Sequence, residues 1–306
     1  MRAFWETWRT EIIRGATLFC VVLAIGLSVR YLVARARERV VNRLPEALRE
    51  IRGEFDSDAE GGPRTTGATW TYRAKVAPKH GLWIRNTRGS VIVEGGRGDS
   101  VQISAVKSYR SSDTASVRLV AVPSDAGLTV CAVWPGSPEG CTPDEDFKAG
   151  RTRGSDITVD FKVRLPRGVR LDARTVIGDV HVAGATAPLH VHTVSGDIDV
   201  ETTEGPVTIA SVNGGVHARI LGFADTGGVS ITTVNGSVTS ELPPVLDADV
   251  DAHTINGSIV TDYALPVSGK FTTHSLKGTV GRGGREVRVT TVNGSIQLKK
   301  APLAAR

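Results

Sequence analysis

The chain has 306 residues, 34 of them Gly, and only 5% are aromatic, a balance that suits strands and tight turns and disfavours a helical bundle. The formal charge of +5 sits in residues 1–52, which hold ten Arg and five Glu and neither Lys nor Asp. Residues 53–306 therefore balance, and no basic excess marks the rest of the chain as a nucleic-acid binder. The basic segment flanks an apolar run. Ala16–Val29 carries no charge, and the run continues past Arg30 to Ala34. That is about the ~20 residues a membrane-spanning helix needs, with Arg30 reaching back to the interface. Trp5 and Trp8 fall where an interfacial aromatic belt would lie. Residues 1–36 are read as a single-pass transmembrane anchor in contact with membrane lipid. Two alternatives stand beside it. One is a cleaved signal peptide, since Ala34-Arg35-Ala36 has the small-x-small form of a cleavage site. The other is a buried helix of a soluble protein.

The side of the membrane is contested. Arg2, Arg9 and Arg14 precede the span, and Arg30, Arg35, Arg37, Arg39 and Arg43 follow it, so the positive-inside rule favours a cytoplasmic repeat domain. An N-terminal anchor followed by a β-domain with a candidate disulfide favours the outside. The expectation is an extracytoplasmic domain, in the periplasm or at the cell surface. Residues 37–52 carry apolar Val40, Val41, Leu44, Leu48 and Ile51 at helical spacing. They form either an amphipathic helix held on anionic headgroups by its Arg residues or a solvated connector. The polar, Gly-rich stretch that follows completes a linker, giving a helix-and-linker segment 37–69 and a repeat domain 70–306.

Strand-like runs follow at Val101–Val106, Val117–Val122, Leu128–Val133 and Ile157–Leu165, broken by a Pro/Gly-rich insertion near 135–155. Cys131 and Cys141 flank the start of that insertion. In an oxidising compartment they would close a disulfide; in a reducing one they would stay as two thiols.

The C-terminal half repeats a short unit. Thr175–Val180, Thr193–Ile198, Ser211–Val216, Thr233–Val238, Thr254–Ile259, Ser275–Val280 and Thr291–Ile296 share the form Thr/Ser, aliphatic, x, Gly, x, aliphatic, with glycines 18, 18, 22, 21, 21 and 16 residues apart. An earlier, weaker copy is Asn86–Val93. Periods near twenty indicate a repeat architecture, and the β-branched residues exclude helical repeats. The expected turn residues are Gly178, Gly196, Asn213, Gly214, Asn235, Gly236, Asn256, Gly257, Gly278, Asn293 and Gly294. Asn-Gly between alternating strands can close a hairpin. It can also turn the corner between two faces of a β-solenoid, with one repeat per coil. The residue two before each glycine is apolar in all seven units (Val176, Val194, Val212, Val234, Ile255, Leu276, Val292). A hairpin would point it into water and a phase-shifting corner would point it inward, so the solenoid is the preferred reading.

Catalytic signatures are lacking: there is no nucleophile elbow, phosphate loop or paired-cysteine zinc motif, and no cofactor is implied. Histidine is the one enriched chemistry. Aligned on the repeat glycine, His181, Asp199 and His217 share one position, and His192, His253 and His274 another. On adjacent coils such residues would be about 4.8 Å apart. No metal site is assigned, but His181, Asp199, His217, His253 and His274 are the candidates for a divalent-metal site or a pH-sensitive face. The alternative is ordinary polar residues on an exposed strand. Gly178-Asp179 and Gly196-Asp197 resemble pieces of calcium-binding solenoid turns without the full nonapeptide, so turn-forming Asp is the preferred reading.

The recurrent units, the lead-in Val163–Gly168 and the early copy Asn86–Val93 together resemble the bacterial DUF4097-type β-strand-repeat family, often labelled "putative adhesin". The resemblance covers roughly residues 75–300 outside the insertion. It implies a β-solenoid, a cell-envelope setting and no established enzymatic activity, and it carries over no catalytic residue. The expected function is thus a membrane-anchored, non-enzymatic surface module acting in adhesion, as a scaffold or in sensing, with a glycan or protein ligand on the solenoid face or self-association through an uncapped end. Two alternatives remain: a polysaccharide-processing enzyme and a polymerising scaffold on the cytoplasmic side.

Overall fold

The computed structural model describes residues 64–302 except 112–113, 136, 138–140, 144–154, 224–226, 265–270 and 273. The anchor and amphipathic helix expected before residue 53 lie outside the described residues, and among the described ones no helix is long and apolar enough to cross a membrane. The described chain is all-β. Its first part holds β1 (Thr65–Thr66), β2 (Trp70–Lys75), β3 (Gly81–Arg85), β4 (Val91–Gly96), β5 (Ser100–Tyr109), a 3-10 turn (Thr114–Ser116), β6 (Arg118–Ser124), β7 (Gly127–Val133) and β8 (Thr158–Pro166). The repeats follow in pairs: β9 (Arg170–Arg174) and β10 (Val180–Ala185), β11 (Leu189–Ser195) and β12 (Ile198–Thr202), β13 (Val207–Asn213) and β14 (Val216–Ile220), β15 (Val229–Asn235) and β16 (Val238–Leu242), β17 (Ala248–Asn256) and β18 (Ile259–Thr261). Last come β19 (Phe271–Thr272), β20 (Ser275–Val280), β21 (Glu286–Asn293) and β22 (Ile296–Lys300).

These strands make two eleven-stranded sheets. From β9 to β16 each repeat puts its first strand in one sheet, B, and its second in the other, A. Successive repeats pair in parallel and in register: Val180, Ile198, Val216 and Val238 stack in sheet A, as Leu189, Val207 and Val229 do in sheet B. The two strands of one unit do not pair with each other, which overturns the hairpin reading of Asn-Gly. Alternation explains the packing. Each strand turns every second residue toward the facing sheet, and those residues (Val180, Val182, Leu189, Val191, Ile198, Val200, Val207, Ile209) are buried. Each such aliphatic contributes about 1.5–3 kcal/mol on leaving water.

The corner has its own chemistry. A Cβ on Gly236 would lie 1.9 Å from the Gly214 carbonyl oxygen, and one on Gly214 1.9 Å from that of Gly196, so each corner leaves room for hydrogen alone. Three residues before the glycine, Thr233, Thr254 and Thr291 are buried and donate their hydroxyls to the corner carbonyls of Gly214, Gly294 and Gly236 at 3.3, 2.8 and 2.9 Å. Asn side chains add an amide ladder: Asn235 donates to Asn213, Asn293 to Asn235 and Asn256 to Asn293, at 2.8, 2.7 and 2.7 Å.

Two expectations fail here. The apolar residue two before the glycine does not point inward. Val176, Val194, Val212, Val234 and Val292 are half-buried, and Ile255 is 57% exposed. The alternation phase does shift at the corner, but the inward residue before it is the Thr or Ser one step earlier. The valine occupies a bulge, where the Val176 carbonyl accepts both the Val194 and Ser195 N–H groups at 3.2 and 2.8 Å. Gly278, expected at a turn, instead lies inside β20, opposite Val250 on an antiparallel strand. Leu276, the one buried member of the apolar set, belongs to that strand and not to a corner.

The order of layers in space departs from their order in sequence at both ends. β21–β22 is inserted between β15–β16 and β17–β18. Likewise β3–β4 lies between β7–β8 and β9–β10. The 135–155 insertion therefore stands where a corner would join β7 to β8. Antiparallel strands close most edges: β5 beside β8, β6 beside β7 and β20 beside β17.

Candidate functional site

Parallel register carries the aligned histidines and acids onto the outer face of sheet A. His181, Asp199 and His217 stand side by side on β10, β12 and β14. Asp199 takes an imidazole on each oxygen: Oδ2 is 3.2 Å from His181 Nδ1 and Oδ1 is 3.3 Å from His217 Nδ1. The other ring nitrogen of His217 faces Glu241 at 3.4 Å. In the next row Arg219 donates to Glu241 at 2.8 Å and to Glu201 at 3.2 Å. The hydrogen bond from Arg219 holds the Glu241 carboxyl below its ordinary range against a smaller opposing effect of burial, and Glu241 in return raises Arg219. The two rows form a ladder in which acid and base alternate across strands.

This geometry does not gather ligands around a cation. The His181 and His217 nitrogens address Asp199 and Glu241 and do not converge on one point, and among the described residues no group of three or more His, Cys, Asp or Glu is placed to hold a metal. His253 and His274 were expected as equivalents on adjacent parallel coils. The strands are antiparallel, so His253 stands opposite Ser275, while the His274 carbonyl accepts the Thr254 N–H at 2.9 Å. Asp179 and Asp197, the fragments of a calcium turn, serve the stacking of turns: Asp179 accepts the Asp197 N–H at 2.8 Å and Asp197 the Gly215 N–H at 2.7 Å.

A second polar cluster escaped the sequence. Arg85 points outward from sheet B yet is fully buried, and its guanidinium donates to the Pro143 carbonyl at 2.9 Å. Asp172 bridges it to Arg174, at 2.8 Å from Arg85 Nη1 and 2.9 Å from Arg174 Nε. Burial alone would raise the Asp172 carboxyl; Arg174 and Arg85 together hold it below its ordinary value. Burial and the Arg174 charge likewise lower His192. Beside this cluster Cys131 and Cys141 form a disulfide, with sulfurs 2.05 Å apart and Cα atoms 5.5 Å apart. One signal was available: β3 and β9 set Arg85 directly opposite Arg174, and two like charges in register call for an acid between them.

The Toastrack DUF4097 family model matches residues 139–299, which take in every layer from β8 to β21 and most of β22. The chain belongs to the Toastrack DUF4097 family. No curated protein matches it. Similar solved structures include a putative cell adhesion protein from Clostridium sporogenes, 14% identical over 76% of this chain and 100% of that one, with a TM-score of 0.46. Another is a putative adhesin from Bacteroides fragilis, 12% identical over 76% and 97% of the two chains, with a TM-score of 0.33. In this Toastrack chain the matched region contains the His–Asp–Glu–Arg ladder, while Arg85 and Cys131 precede it.

Proposed function

We propose that this Toastrack chain is a membrane-anchored, non-enzymatic module of the bacterial envelope. Residues 1–36 would hold it in the membrane, residues 37–63 would act as spacer, and the domain, whose first strand β1 already pairs with β5 ahead of the expected boundary at residue 70, would stand outside the cytoplasm as a two-sheet β-solenoid. Its outer face would hold a glycan or protein partner. The observation that carries this reading is the outer face of sheet A, a polar surface whose parallel strands stand in register and whose ladder residues pair with one another.

In the ladder, Arg219 holds Glu241 ionised, which removes that carboxyl as a proton donor. The Cys131–Cys141 disulfide supports an oxidising compartment over the cytoplasmic scaffold. To test the assignment, the full chain in detergent is incubated with envelope polysaccharides and envelope proteins, following both retention and cleavage. Saturable retention without product is expected. Turnover that is lost on replacing His181, Asp199 and His217 by Ala would overturn it in favour of the polysaccharide-processing enzyme.

A further inference from the structure

The N-terminal third of the same outer face has a different chemistry. β5 lies between β2 and β8, antiparallel to both. Two rows cross these strands: Thr71, Ser104 and Lys162 in one, and Arg73, Gln102 and Arg164 in the next. All six point away from the core, alternating on β5 and β8 with buried Val101, Ile103, Ala105, Phe161 and Val163. The central strand contributes Ser104 and Gln102, β8 flanks it with Lys162 and Arg164, and β2 with Arg73 and the short Thr71. These side chains line an open trough of about 540 Å³ along β5.

Charge separates this trough from the ladder farther along the sheet. There, Glu201, Arg219 and Glu241 neutralise one another. Here Lys162 meets Glu94 at 3.1 Å on its far side, and among the described residues no carboxylate pairs with Arg73 or Arg164. The two guanidiniums stand two strand spacings apart, roughly 9.6 Å at the level of the backbone. Guanidinium groups bind carboxylates in a bidentate fork, and the hydroxyls and amide between them are both donors and acceptors, as sugar hydroxyls are. The trough is open, so it suits an extended chain better than a compact molecule.

We propose that this trough binds an acidic glycan, a linear polysaccharide bearing carboxylates, laid along β5 between Arg73 and Arg164. The proposal rests on the surface-module reading above and gives it a ligand class. An acidic peptide is the rival occupant, and polyglutamate stands for it in the test.

The test uses the full chain in detergent with polygalacturonate, uncharged dextran and polyglutamate as probes. The Arg-rich N-terminal segment also attracts polyanions, so the decisive comparison is between variants. The double variant Arg73→Gln/Arg164→Gln is expected to bind polygalacturonate at least about tenfold more weakly. Ser104→Trp, which fills the trough and keeps its charges, is expected to lose binding similarly, while Arg288→Gln on sheet B changes nothing. Unaltered melting temperatures identify the losses as local. Polygalacturonate binding that survives both trough variants overturns the proposal, as does polyglutamate binding of equal strength that both trough variants abolish. Saturable retention of envelope material without polygalacturonate binding sinks the ligand class alone and leaves the module reading intact.

Discussion

Single residues hold this fold at its corners. Gly236 sits in the middle of the stack, where an added Cβ would lie 1.9 Å from the Gly214 carbonyl. Neither backbone can retreat, because Gly214 N–H and Gly236 N–H are already committed to Asn235 and Asn293 at 3.0 Å. Gly236→Ala is therefore expected to cost about 3 kcal/mol, the upper end for overpacking. Val234, two residues earlier and half-buried, is the contrast. Val234→Ser should cost about 1 kcal/mol or less, because little apolar area leaves water there. Denaturant unfolding of both variants checks the pair. A larger loss at Val234 than at Gly236 would return the valine to the core, where the apolar pattern of the sequence had placed it.

At the scale of elements, the insertion is tied to sheet B by a buried ion cluster. Removing one partner of such a cluster strands the others, and Asp172→Asn is expected to cost about 3 kcal/mol at neutral pH. The cost depends on pH in a defined sense. Asp172 is held below its unfolded pKa, so its contribution is complete above the ordinary carboxylate value of about 4 and is lost as pH falls through the lower folded value. Melting temperatures across an acid series should show native protein and variant far apart at pH 7 and converging only as the pH falls below the ordinary carboxylate range. A gap that stays constant would remove Asp172 from the cluster's energetics. Elements of this kind were the hardest to read. The strands β5 to β8 stood out as aliphatic runs, and the repeats from β9 to β16 as units of fixed form. Arg85 and Asp172 did not, because each looks like a solvated strand residue until strand pairing sets Arg85, Asp172 and Arg174 together beside Pro143.

At the scale of the molecule, the sequence reveals the layers but not their order. The corner units from Thr175 onward present the same Thr or Ser, Gly and aliphatic positions, so their layers are interchangeable in stacking, and a low-information motif cannot say that β21–β22 enters between β15–β16 and β17–β18. That choice rests on particulars such as the Asn235–Asn293–Asn256 run and the antiparallel β20, which closes sheet B beyond β17. The candidate site was legible in part for the same reason. Register brought His181, Asp199 and His217 together as their spacing predicts, while His253 fell on a strand that meets β20 antiparallel and His274 in the turn before β20, a direction the motif does not encode. The trough on β5 has no repeat signature, since Arg73, Gln102 and Arg164 meet only through antiparallel pairing across 91 residues of chain.

The central claim is that the repeat domain presents its outer face outside the cytoplasm from a membrane anchor. Protease accessibility of a C-terminally tagged full chain tests it most directly, in intact cells against permeabilised ones and with the tag followed in the membrane fraction. The account predicts a membrane-bound tag that protease removes while the cytoplasmic membrane is still intact. A tag protected until the cytoplasmic membrane is opened, or released from the membrane altogether, would contradict it.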